Sequence, residues 1–221
     1  MNPVLKRTLT GIAVGMVVLF GVIFAPVWLI CSIIAVLALL SLYEYVMLLR
    51  LKASACPAWK IALLLAAGAA VIVCGLGELA RIAPARGNLM LLYVIMIVKF
   101  SDVGGFAFGL ASAKHMKGGN HKMCPSISPG KSWEGMAGSI FASCLVSVLW
   151  MGATHFSFTK SILLGVTAAA VGTLGDLVES KFKRWVGVKD SSTMKMTNGM
   201  GGFLDMLDSL LFAPAVIMAM M

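Results

Sequence analysis

With 221 residues, 60% of them hydrophobic and 12% charged, at a mean hydropathy of +0.96, the chain is not an ordinary soluble domain. Its 18 lysines and arginines outnumber nine acids, giving a formal charge of +9. No basic surface is interleaved with aromatic residues, and this speaks against nucleic acid as a partner.

The predicted elements are membrane-spanning helices. A span needs about 20 mostly apolar residues, and seven runs qualify: 8–25, 27–49, 61–80, 88–110, 135–153, 160–179 and 199–220. None alternates as a membrane barrel does, and helices alone satisfy their own backbone in lipid. The expected fold is therefore all-α and polytopic, one transmembrane unit over 1–221, with N-terminal helices in 1–98 and the chemistry in 99–221. The first two runs, broken at Pro26, read as a tight hairpin. The first lacks a small-residue cleavage site before the second begins, so it is expected to be retained.

The basic residues set the orientation. With the N-terminus in the cytoplasm, 14 of them lie inside: Lys6, Arg7, Arg50, Lys52, Lys60, Lys114, Lys117, Lys122, Lys131, Lys181, Lys183, Arg184, Lys189 and Lys195. Arg81, Arg86 and Lys160 lie outside, and Lys99 falls within a span. That asymmetry follows the positive-inside rule. Most of the charge sits in two loops, 111–134 and 180–198, suited to anionic headgroups or to a polyphosphate. The five cysteines (Cys31, Cys56, Cys74, Cys124, Cys144) are scattered without a C-x-x-C pair, and His115, His121 and His155 form no ligand spacing with them.

Three segments carry chemistry. In the fourth run, Lys99 and Asp102 are an i, i+3 pair, and Gly104, Gly105 and Gly109 suit a close helix contact. The second is Ser128-Pro129-Gly130-Lys131-Ser132-Trp133-Glu134-Gly135, which has the G-K-S of a P-loop but neither its upstream glycine nor its flanking strand. It reads as a helix start, with Ser132 or Ser128 as cap and Glu134 in the first turn. The third holds Asp176, Asp190, Asp205 and Asp208. Gly172, Asp176, Glu179 and Lys183 fall on one helical face, and Asp205 and Asp208 share a face of the last helix just after Gly201-Gly202.

A carboxylate at bilayer depth costs a few kcal/mol and is usually kept for ions, protons or substrates. Carboxylates beside a helix N-terminus suit a divalent cation bridging them to phosphate oxygens, and Mg²⁺ prefers such oxygen ligands. The plainer alternatives are salt bridges to Lys181, Lys183 or Lys189, or a proton pathway.

The run Ser180-x-Phe182-Lys183-Arg184-x₄-Lys189-Asp190, then Gly201-Gly202-Phe203-Leu204-Asp205-x-x-Asp208, resembles the signature of the phosphatidate cytidylyltransferase (CDP-diacylglycerol synthase) family. So do Gly175-Asp176-Leu177-x-Glu179-Ser180, Asp102…Gly105…Gly109, and Ser-Pro-x-Lys-Ser-Trp-Glu-Gly. Met200 stands where the family usually has His, and Met206 where it has Arg. The resemblance, over roughly 99–212, implies transfer of the cytidylyl group of CTP to phosphatidic acid, giving CDP-diacylglycerol and pyrophosphate.

It implies Asp176, Asp205 and Asp208 as ligands of one or two Mg²⁺ ions, with Lys189 also catalytic. Lys131, Ser128, Lys183, Arg184, Asp190, Asp102 and Ser180 are the implied substrate-binding residues. It further implies membrane lipids as surroundings, a homodimer, and a bacterial-type plasma membrane with the site facing the cytoplasm. The rival readings are a CTP-dependent transferase on another lipid acceptor and an ion- or proton-coupled transporter; the latter would spread its acids along several spans.

Overall fold

The computed structural model describes residues 15–116, 118–188 and 202–221. Helix α1 covers Gly15–Phe24 and α2 covers Val27–Arg50. They are parted at Pro26, which has no amide hydrogen to continue a helix and stands as the N-cap of α2. A turn of 3-10 helix at Ala53–Ala55 and a second proline, Pro57, lead into α3, Ala58–Arg86. Gly87, at φ 87°, turns the chain into α4, Asn88–His115. Its positive φ is a conformation that side chains resist and glycine does not.

A small antiparallel hairpin follows, β1 (Lys122–Cys124) paired with β2 (Ser128–Ser132). Then come α5 (Trp133–Leu149), the short α6 (Met151–Thr154), α7 (Phe158–Val186) and α8 (Phe203–Met220). Ser132 is the cap of α5, accepting the Gly135 amide at 3.1 Å, and Ser157 caps α7 from Lys160 N at 3.3 Å. Gly187, at φ 93°, closes α7 in a left-handed turn onto the Lys183 and Arg184 carbonyls.

Among the described residues, five helices (α2, α3, α4, α7 and α8) are long and apolar enough to cross a membrane; α5 and the described part of α1 are apolar but shorter. The seven expected runs thus reappear as seven apolar helices. Their edges moved outward in α3, α4 and α7, while residues 8–14 and 199–201 lie outside the described part. The expected fifth run is interrupted at Trp150, where α5 stops and α6 begins.

Helix α4 packs on α3, α5, α7 and α8, and its Leu91, Tyr93, Val94 and Ile97 are fully buried. Large apolar side chains such as Phe24, Trp28, Leu39, Trp59, Phe106 and Leu149 point outward, as they do on a lipid-facing surface. Polar contacts inside are few and specific. The Tyr93 and Ser147 hydroxyls join α4 to α5 at 2.7 Å, and Ser143 Oγ donates to the Gly165 carbonyl of α7 at 2.8 Å.

Candidate active site

Glycines bring the site's helices together. A Cβ on Gly104 of α4 would stand 2.5 Å from both Gly138 O and Ala142 Cβ of α5, and one on Gly175 of α7 would stand 3.0 Å from Asp208 O of α8. The first contact joins α4 to α5 and the second α7 to α8; α4 also packs on α7 and α8, and each of these three helices contributes an acid.

The centre is Ser209 of α8, fully buried. Its Oγ lies 3.0 and 3.2 Å from the two carboxyl oxygens of Asp102, 3.1 Å from Asp176 Oδ1 and 3.2 Å from Asp208 Oδ1. One hydroxyl has one proton to donate. Three carboxyl groups sharing it need positive charge or further protons from elsewhere. Lys131, carried by β2, is paired with Asp176. Lys99 reaches Asp102 at 3.3 Å and the Met206 carbonyl at 3.0 Å.

A second knot lies one turn earlier on α8. Lys183 Nζ is 2.8 Å from Asp205 Oδ1 and 3.1 Å from Glu179 Oε2, and Asp205 Oδ2 accepts the Gly202 amide at 3.3 Å. The face read from sequence as Gly172, Asp176, Glu179 and Lys183 is therefore the face of α7 that meets α8. The sequence-predicted trio is divided: Asp176 and Asp208 join Asp102 in the first knot, while Asp205 belongs to the second.

The hairpin holds Lys131 in place. The His121 ring meets Glu134 Oε1 at 2.6 Å, the His121 amide donates to the same carboxylate at 3.1–3.2 Å, and the Trp133 amide donates to His121 O at 3.0 Å. Ser128 opens β2 and lines, with Lys131, Ser132, Thr173, Asp102 and Asp176, a cavity of about 270 Å³. A larger cavity of about 430 Å³, almost wholly apolar, lies on the far side of α7 between Tyr45, Leu64, Phe182, Trp185 and Leu211, with Glu179, Lys60 and Lys181 also lining it.

Arg184 is exposed, and its Nε donates to the Ile127 carbonyl at 3.4 Å, bracing the hairpin's turn. Ser180 is half-buried on α7. Lys189, Asp190 and Met200 lie outside the described residues.

The oxygen-only donors of the first knot suit a hard divalent cation. Among the described residues no three acid, histidine or cysteine side chains are grouped so as to hold a metal ion by themselves, and Lys131 is paired with one of the carboxylates.

Sequence reasoning passed over Ser209 and Glu44. Ser209 is i+4 from Asp205 and so on its face. Glu44 is an acid inside the apolar run 27–49, a placement that is itself a functional signal.

A model of the cytidylyltransferase family matches residues 59–221. The chain belongs to the cytidylyltransferase family. It is 40% identical over 136 residues to the phosphatidate cytidylyltransferase of Haemophilus influenzae, covering 58% of this chain and 43% of that protein. To the protein of the same name from Staphylococcus aureus it is 44% identical over 129 residues, 58% of this chain and 46% of that one. The chain thus spans less than half the length of these curated relatives.

Proposed function

We propose that this chain transfers the cytidylyl group of CTP to phosphatidic acid, releasing pyrophosphate and leaving CDP-diacylglycerol in the membrane. The observation that carries the reading is the convergence of Asp102, Asp176 and Asp208 on Ser209, with Lys131 and Lys99 at the rim. It lies in a family whose related members bear the matching name.

The reaction brings two anions together, a lipid phosphate and the α-phosphate of a nucleotide. Catalysis therefore rests on holding them in line and neutralising their charge. Asp176 and Asp208, with Asp102 beside them, are the residues that would hold Mg²⁺, and Asp205, paired with Lys183 in the second knot, would be a further ligand. When bound, that ion supplies charge neutralisation at the attacking and leaving oxygens. Lys131 would exchange Asp176 for a phosphate oxygen, and the strand Ser128–Ser132 offers amides and hydroxyls along the smaller cavity. Lys189 and Asp190 remain candidates for the nucleotide. The apolar cavity beside Phe182 and Trp185 suits an acyl chain, with Lys60 and Lys181 near the headgroup.

The two basic loops support a site open to the cytoplasm of a bacterial-type plasma membrane. A homodimer is the assembly the family resemblance supports.

The test is pyrophosphate release by purified protein in detergent, from CTP and phosphatidic acid, with and without Mg²⁺. Asp205→Asn and Asp176→Asn are assayed beside the wild type. Mg²⁺-dependent turnover, lost in both variants, is expected. Turnover with a different lipid acceptor and none with phosphatidic acid would overturn the substrate assignment.

A further inference from the structure

Glu44 lies on α2, before the segment that the family model covers, and is 1% exposed. Its Oε2 accepts the backbone N–H of Leu204 at 2.9 Å, whereas its Oε1 has no hydrogen-bond partner. Leu204 is the second residue of α8. The first amides of a helix have no partner within it, and a cap residue usually supplies one. Here the cap position is Gly202, which has no side chain to offer. Asp205 turns back to the Gly202 amide, and the Leu204 amide is met by a carboxyl group 160 residues earlier in the chain.

The support behind that carboxyl is stiff. The next residue, Tyr45, donates its hydroxyl to the Leu64 carbonyl of α3 at 2.6 Å. Its ring packs on Phe182 of α7, with 4.9 Å between centroids. Helix α2 is thereby tied to α3 and α7 at the level where Glu44 reaches α8. The first turn of α8 carries Asp205, and the next carries Asp208 and Ser209. A shift of α8 along its axis, or fraying of its first turn, would move Asp205 off Lys183 and Ser209 off Asp102 and Asp176.

We propose that Glu44 is a positioning residue: buried on α2, it closes the N-terminus of α8 and sets where Asp205 and Asp208 stand against α4 and α7. Its role in turnover rests on the function proposed above, whereas its hold on α8 does not.

The test uses the full chain in detergent with Glu44→Gln, which keeps an acceptor of the same reach. Glu44→Met keeps the shape without the acceptor, and Glu44→Asp shortens the reach by one methylene. Two quantities are read: hydrogen–deuterium exchange of peptides covering 203–210, and pyrophosphate release as Mg²⁺ is varied. In Glu44→Met the amides of 203–206 are expected to exchange about tenfold faster, with α3 and α4 unchanged. Turnover should fall by about tenfold or more and the half-maximal Mg²⁺ concentration rise several-fold, while Glu44→Gln stays within about twofold of wild type in both.

If Glu44→Met does not fold, Glu44→Asp is expected to move both readings in the same direction. Unchanged exchange at 203–206 in the folded variants would overturn the proposal. So would faster exchange in every helix together with an unchanged Mg²⁺ midpoint, because that marks a residue of general stability. A wild type without turnover would sink the proposed function and leave the exchange result to decide the positioning.

Discussion

Asp176 and Asp208 differ from the other acids in sharing one hydroxyl, Ser209, with a third carboxyl from α4. Removing the charge of either while keeping its shape takes a ligand from the proposed cation, and at Asp176 it also leaves Lys131 with less to hold it. Asp176→Asn and Asp208→Asn are therefore expected to lower kcat by about 100-fold or more with the fold intact, checked by Mg²⁺-dependent pyrophosphate release beside size-exclusion chromatography. Ser209→Ala is expected to be milder, about tenfold, because it removes the proton the acids share and none of the charge. Much of this is legible in the sequence, where Asp102, Asp176 and Asp208 each interrupt an apolar run beside glycines, although Glu44 interrupts one too and its partner on α8 is not legible there. Nor is Ser209, because a serine is at ease in a membrane helix and nothing in its own neighbourhood marks it as the point where three helices meet. Nor could spacing divide Asp205 from Asp208. Both lie on one face of α8, and only the position of Lys183 on α7 decides that Asp205 faces a different partner.

The elements that hold the site depend on close approach, as the α4–α5 contact shows. A side chain at Gly104 or Gly138 would meet the opposing backbone carbonyl, at 2.5 and 2.6 Å from its Cβ. Backbone cannot swing aside as a side-chain tip does. Gly104→Ala and Gly138→Ala are expected to destabilise by about 1–3 kcal/mol, the usual range for overpacking, and Gly77→Ala on the open side of α3 to have little effect. Thermal unfolding in detergent checks the contrast. The glycines of α4 were readable as a close contact, but the hairpin was not, since Pro129 and Gly130 argue against a strand. The segment forms one because it is a short edge pair, fastened to α5 by His121 and Glu134. Glu134→Ala should loosen it, raising the KM for CTP several-fold through Lys131 while kcat changes less. Faster proteolysis within 118–128 would accompany that change.

At the scale of the whole molecule, the helices follow from composition and the order of spans from the apolar runs, but the sidedness rests on α5. Its 17 residues make about 25 Å of helix, against a hydrocarbon core of about 30 Å. The chain then breaks at Trp150, and α6 and the Ser157 cap carry it on before α7 turns back. If α5 crosses with this extension, the hairpin and the start of α7 lie on opposite faces of the membrane, as the charge asymmetry requires. Lys122 and Thr159 are both exposed and suit a direct comparison. With the five native cysteines replaced by alanine, Lys122→Cys should react with a membrane-impermeant maleimide only in inside-out vesicles. Thr159→Cys should react only in right-side-out ones. Labelling of both from one face would mean that α5 is a re-entrant helix. Lys160 would then join the basic residues of that face, and the seven-span topology would be wrong while the cluster around Ser209, built from α4, α7 and α8, stood unchanged.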